Sequence, residues 1–325
     1  MPQRPFAKLA SATALAASLM VLPFSGLAPA QAAAPMAKVS APAFHRILLG
    51  DFEVTALGDG TVDLPVDKLL KESPAATAKA LAKSFLKTPV ETSVNAYLVN
   101  TGTKLILIDA GAGNLFGPTL GKLVANLKAS GYTPEQVDEV YITHLHPDHV
   151  GGLASNDTLV FPNAVVRADK RDADFWLSHE QLAKAPEASK AFFQGAMASL
   201  NPYVKADRFR TFEGETELAP GVRAHPSYGH TAGHTSYVVE SQGQRLIVLG
   251  DLIHVGAVQF DHPSVTIAFD SDAKTAAIAR DKAFLLASEK GDLVAASHLS
   301  FPGLGHVRAQ GNRYQWVPLN YTQAR

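Results

Sequence analysis

His144-Leu145-His146-Pro147-Asp148-His149 puts four metal-competent side chains within six residues, with Gly151-Gly152 directly behind them. The apolar run Val140 to Thr143 in front reads as a strand, so the cluster lies on the loop leaving its carboxyl end. From an extended segment His144 and His146 point the same way, and Asp148 and His149 curl back as the chain turns toward a helix. Imidazole and carboxylate at this spacing suit Zn²⁺ and similar ions. One histidine here would read as a core or capping residue, but four together do not.

Further donors stand outward from this cluster. His230 and His234 occur in Gly229-His230-Thr231-Ala232-Gly233-His234-Thr235, Asp251 follows Ile247-Val248-Leu249-Gly250, and His298 follows Val294-Ala295-Ala296-Ser297. Each stands at a predicted strand end, so all can converge on one edge of the sheets. An ionised Asp251 at the end of an apolar strand is costly to bury alone, and a place between two cations removes that cost. Cysteine is absent, which excludes disulfides, thiolate nucleophiles and Cys-ligated metal sites. No serine sits in a Gly-x-Ser-x-Gly elbow. A formal net charge of -1 with no long charged block argues against nucleic acid or anionic membrane surfaces as partners.

Around these donors the periodicities alternate. Arg46 to Leu49 and Phe52 to Leu57 read as strands, with Gly58-Asp59-Gly60 as the turn after the second. Ser93 to Val99 and Lys104 to Asp109 form a hairpin, and Val165 to Ala168, Val222 to His225, Ser236 to Ser241, Leu246 to Leu249 and Leu293 to Ala296 are further strands. Helices are expected over Ala75 to Phe85, Leu120 to Ser130, Lys170 to Ser178, Ser189 to Ser199 and Ala273 to Ser288. Thr133-Pro134-Glu135-Gln136 combines an N-cap, a proline at the first helical position and a capping-box glutamine. Strands interleaved with helices give an α/β class: two similar halves, their sheets packed face to face with helices outside.

Residues 1–34 read as a cleavable signal peptide and the start of a linker. Arg4 and Lys8 are its positive region, Leu9 to Leu27 its apolar run, and Ala30-Gln31-Ala32 its cleavage site. The expected location is secreted or periplasmic, with no membrane association once processed. Residues 35–44 read as a flexible linker and 45–325 as a single catalytic domain.

The His-x-His-x-Asp-His run and its partners resemble the metallo-β-lactamase superfamily. The resemblance implies an αββα sandwich holding two divalent ions, Zn²⁺ by default, with Mn²⁺, Fe²⁺ or Co²⁺ able to use the same ligands. It implies His144, His146 and His230 on the first ion, Asp148, His149 and His298 on the second, and Asp251 bridging. His230 rather than His234 takes the ligand role.

Within the superfamily, Gly50-Asp51-Phe52-Glu53, Phe116-Gly117-Pro118-Thr119-Leu120 and His298-Leu299-Ser300-Phe301-Pro302-Gly303 look like the methyl parathion hydrolase group. That likeness runs from about His45 to Tyr321 and implies a secreted, binuclear homodimer. It also implies a pocket lined by Leu64, Leu69, Phe116, Trp176, Phe192, His254, Ile267 and Phe269. With no Lys or Arg, such a wall suits a small neutral hydrophobic ester or lactone. The group's pattern has Arg where Leu69 stands, Leu at His254, Thr at Ile267 and Leu at Phe269, plus one more residue before Ser189. These departures resemble its dihydrocoumarin hydrolase (lactonase) relatives.

The expectation is therefore a hydrolase using a metal-bridging hydroxide to open small aromatic lactones or aryl esters. Asp148 or Asp251 would shuttle a proton and His254 would position the carbonyl. Organophosphate triester hydrolysis is the alternative. β-Lactam hydrolysis and a non-enzymatic metal-binding module fit less well.

Overall fold

Alternating residues of the short central strands serve different layers. In Leu105–Ile108, Leu105 and Leu107 pack among helices, whereas Ile106 and Ile108 face the second sheet. In Gln244–Val248, Leu246 and Val248 enter the same inter-sheet core, and Ile247 points to an outer layer with Phe284. A strand apolar on both faces needs a cover on each side, which the two sheets and the outer helices supply. The computed structural model describes residues 34–321, so the signal-peptide reading falls, save for Ala34, outside the described residues. Among the described residues no helix is long and apolar enough to cross a membrane.

The first sheet has the order Phe44–Leu49, Phe52–Leu64, Val90–Asn100, Leu105–Ile108, Glu139–Tyr141, Val165–Asp169, Phe209–Phe212. Its first three pairings are antiparallel and the last three parallel. The second has the order Thr216–Ala219, Val222–Pro226, Thr235–Ser241, Gln244–Val248, Leu293–Ala295, Leu304–Gln310, Arg313–Pro318. Only Gln244–Val248 and Leu293–Ala295 pair in parallel there. Between the sheets lie Val54, Tyr97, Tyr141, Ala224, Tyr237 and Ala295. Helices Leu123–Ala129 and Glu187–Lys205 cover the first sheet, and Ala273–Lys290 covers the second. The αββα sandwich is thus realised.

Two local readings change. Gly58-Asp59-Gly60 is not a turn: the strand runs on to Leu64 with a register shift at these residues. The bulge turns the Asp59 carboxylate inward, where it accepts from the amides of Ala112, Gly121 and Leu123 at 2.9 to 3.0 Å. The helix expected to stop at Ser199 continues to Lys205 through Pro202. Buried Tyr203 anchors that extension by donating to Leu153 O at 3.0 Å. At Thr133 both arms of the capping box form around the 3₁₀ turn Pro134–Gln136.

Candidate metal centre

Every donor named from the sequence stands just beyond a strand or on the turn after it. Glu139–Tyr141 leads to His144 and His146, and Pro147–Val150 makes one helical turn carrying Asp148 and His149. His230 precedes Thr235–Ser241, Asp251 follows Gln244–Val248 in a kinked 3₁₀ turn, and His298 follows Leu293–Ala295. All strand ends involved open on the same edge, so residues far apart in the chain meet there.

The Asp251 carboxylate is the hub. Its Oδ2 lies 3.5 Å from His144 Nε2, 3.3 Å from His230 Nε2 and 3.1 Å from His254 Nε2. Its Oδ1 lies 3.1 Å from both His149 Nε2 and His298 Nε2. Asp148 Oδ2 stands 3.5 Å from those same two nitrogens, and His146 Nδ1 stands 3.1 Å from His230 Nε2. The donors fall into one group of His144, His146, His230 and Asp251, and a second of Asp148, His149 and His298. His254 joins Asp251 and His298 in a third combination.

The far nitrogens of these rings are held by the protein. His149 Nδ1 meets Asp109 Oδ2 at 2.8 Å, His230 Nδ1 meets Asp270 Oδ1 at 2.9 Å, and His298 Nδ1 donates to Ser93 O at 3.0 Å. Such contacts fix the ring tautomer and leave the other nitrogen facing the centre. Asp109 does this from a left-handed backbone (φ 62°) that aims its carboxylate at Thr143 as well. His234 is different: it bonds Ser227 O through Nδ1 and accepts from the Asp251 amide through Nε2, both at 3.0 Å. Neither of its nitrogens is free for an ion.

Burial drives the imidazoles of His144 and His146 well below their ordinary pKa, and neighbouring imidazoles push them further. Burial also lowers His149, but the carboxylates of Asp251, Asp148 and Asp109 outweigh it and raise that ring well above normal. Burial opposes ionisation of Asp251, yet the surrounding imidazoles win and hold it well below the usual carboxylate range.

His144 Nε2, His149 Nε2 and Asp251 Oδ1 are buried with no hydrogen-bond partner. Leaving each bare costs about 1–3 kcal/mol, and a pair of divalent ions, one on His144 and one on His149 with Asp251 between, would satisfy all three. The donor set therefore fits a pair of ions: burial keeps His144 and His146 neutral, and His149, His230 and His298, on which the facing carboxylates favour a proton, would release it on binding.

A cavity of about 80 Å³ opens beside the centre, lined by His146, Asp148, Asp251, His254 and His298 with Val62, Leu64, Phe116, Leu120, Phe192 and Phe269. Val62 and Leu120 were not anticipated. Trp176, Leu69 and Ile267 do not line it and lie one layer back. Trp176 packs edge-on to His146 at 5.2 Å, and Leu69 and Ile267 belong to a satellite core with Val66 and Leu81. Side-chain alternation along the Leu69–Leu70 segment, which pairs with Ile267, decides this and is invisible in composition. Asp270 also went unanticipated, since an isolated Asp after Phe269 carries no signal until the fold brings it to His230. Asp109 was visible only as a residue ending an apolar strand. A groove of about 640 Å³ beside helix Ala273–Lys290 touches none of these donors.

With this fold and this centre, the chain belongs to the metallo-beta-lactamase superfamily, whose family model matches residues 89–298. It is a hydrolase whose site takes two metal ions. Among solved structures, "hydrolase AbOPH in beta lactamase superfamily" is 37% identical, with a TM-score of 0.83 over 88% of this chain and 100% of its own. AidC, described as a dizinc quorum-quenching lactonase, is 26% identical, with a TM-score of 0.80 over 86% of this chain and 99% of its own. An N-acyl homoserine lactonase from Bacillus cereus is 26% identical over 205 residues, 57% of this chain and 74% of that protein.

Proposed function

We propose that this protein is a binuclear hydrolase that opens small neutral aromatic lactones or aryl esters of the dihydrocoumarin type. The observation that carries the proposal is the apolar cavity set directly against four of the seven donors, His146, Asp148, Asp251 and His298, with neither Lys nor Arg in its wall. His144, His146 and His230 would hold one ion, Asp148, His149 and His298 the other, and Asp251 both. Such a pair supplies Lewis acidity and a water acidified toward neutral pH.

The chain's own groups do the rest. Leu64, Phe116, Phe192 and Phe269 exclude water and favour an uncharged, flat substrate over an anion. His254 lies in the wall with Nε2 on Asp251, and burial keeps its pKa down at about 4, so it is a neutral ring able to orient a carbonyl. Asp148, partly exposed at the cavity, is placed to pass a proton to the departing oxygen.

Phosphotriester hydrolysis is the second reading, favoured by the same neutral wall. Comparison of kcat/KM for dihydrocoumarin and methyl parathion on the metal-loaded protein separates them. The lactone is expected to win, and a more than tenfold preference for the phosphotriester reverses the order. His254→Leu is expected to move the ratio toward the phosphotriester; an unchanged ratio removes His254 from the account.

A further inference from the structure

Asp172 is fully buried in the first turn of helix Lys170–Trp176 and belongs to none of the metal-competent groups. Its Oδ2 accepts from the Leu145 amide at 3.0 Å and from the Thr231 hydroxyl at 2.8 Å, and its Oδ1 accepts from the Gly233 amide at 2.6 Å. Leu145 sits between His144 and His146, and Thr231 sits beside His230. One carboxylate thus ties together the two loops that carry all three imidazoles of the first group.

The joint is close. A Cβ at Gly233 would stand 2.7 Å from the Asp172 amide nitrogen and 3.0 Å from its Cβ, so the His230 loop meets this helix at a position only glycine fits. The same helix ends on Trp176, which abuts the His146 ring. No Lys, Arg or His forms an ion pair with Asp172 among the described residues, and burial pushes its carboxyl up to about 6. A carboxylate is nonetheless the group this place requires. Its two oxygens take three donors, whereas an amide would present one of them an NH₂.

We propose that Asp172 is a positioning residue for the first ion site, holding His144, His146 and His230 at ligating separation. The inference rests on the two-ion reading above and extends it to a residue that touches neither ion nor substrate. Removing a carboxylate that orients ligands weakens metal affinity about 10- to 100-fold, and that is the scale expected here.

The test is competition for Zn²⁺ between a chromophoric chelator and the full protein, counting ions per chain and the affinity of each. Wild type is expected to hold two. Asp172→Asn is expected to bind one ion about tenfold or more weakly, with the other unchanged. Thr231→Val, which removes one of the three bonds, is expected to lose about threefold at the same ion, taking half that effect on a logarithmic scale. Asp174→Ala breaks the ion pair to Lys170 on the same helix but leaves the clamp, and should stay within about twofold. Asp172→Asn within twofold of wild type at both ions, or Asp174→Ala losing as much, overturns the proposal. Should Asp172→Asn not fold, an unchanged Thr231→Val overturns it and a selective loss supports it. Wild type holding fewer than two ions instead overturns the two-ion reading itself.

Discussion

Replacing Asp251 by Asn would keep the side chain's shape and remove the charge that five imidazoles face within 3.5 Å. Because this carboxylate stands between both sets of histidines, the loss reaches both ion sites. Asp251→Asn is expected to lower bound metal below two per chain and kcat/KM by more than about a hundredfold, beyond the range for residues that only orient ligands. Full metal content with near-native activity would remove Asp251 from the bridge. Asp172 supplies a second residue-scale prediction. Burial raises its carboxyl from the ordinary value of 3.8 to about 6, so the native state binds this proton more tightly. The associated stability is fully present below pH 3.8 and is lost as pH rises through about 6. Asp172→Asn cannot titrate, so in chelated protein the wild type's stability relative to the variant should fall across that window. A gap that stays constant in denaturant melts from pH 4 to pH 7 would contradict it. These ligand positions were legible in the sequence because four donors in six residues have no other economical use. Asp172, Asp109 and Asp270 were not, since their partners lie tens of residues away.

Among the elements, the strand Phe52–Leu64 and the segment after Ile108 are joined through one side chain. Asp59 holds three amides of the stretch that presents Phe116 to the cavity. Asp59→Ala would strand two buried donors and one half-buried one, costing about 3 kcal/mol after partial rescue by water. It should also raise KM more than it lowers kcat, because Phe116 lines the cavity and is not among the metal donors. Denaturant titration and steady-state kinetics check both parts; an unchanged KM would detach this stretch from the pocket. The glycines at 58 and 60 read as a turn because turn chemistry and bulge chemistry use the same residues. Only the hydrophobic alternation resuming at Val62 and Leu64 hinted that the strand continues. The helices with clear caps, such as Ala273–Lys290 after Asp272, were legible to within a few residues.

At the scale of the whole molecule, two sheets bring donors from four separate chain segments to one edge, and the chemistry exists only as their sum. The layer order followed from apolar strands interleaved with amphipathic helices. The lining of the cavity did not, because it depends on which face of each loop residue turns inward. Leu69, Trp176 and Ile267 support the wall from behind, whereas Val62 and Leu120 form it. Substrate preference is therefore set by packing between loops, and the hydrolytic capacity by the strand ends beneath them. The most direct test of the account is a titration of chelator-stripped protein with Zn²⁺ while dihydrocoumarin hydrolysis is followed. The account predicts negligible rate without metal and a rate that rises until two ions are bound per chain, then levels. Full activity in the stripped protein, or a plateau with no lactone opened at two ions per chain, would contradict it.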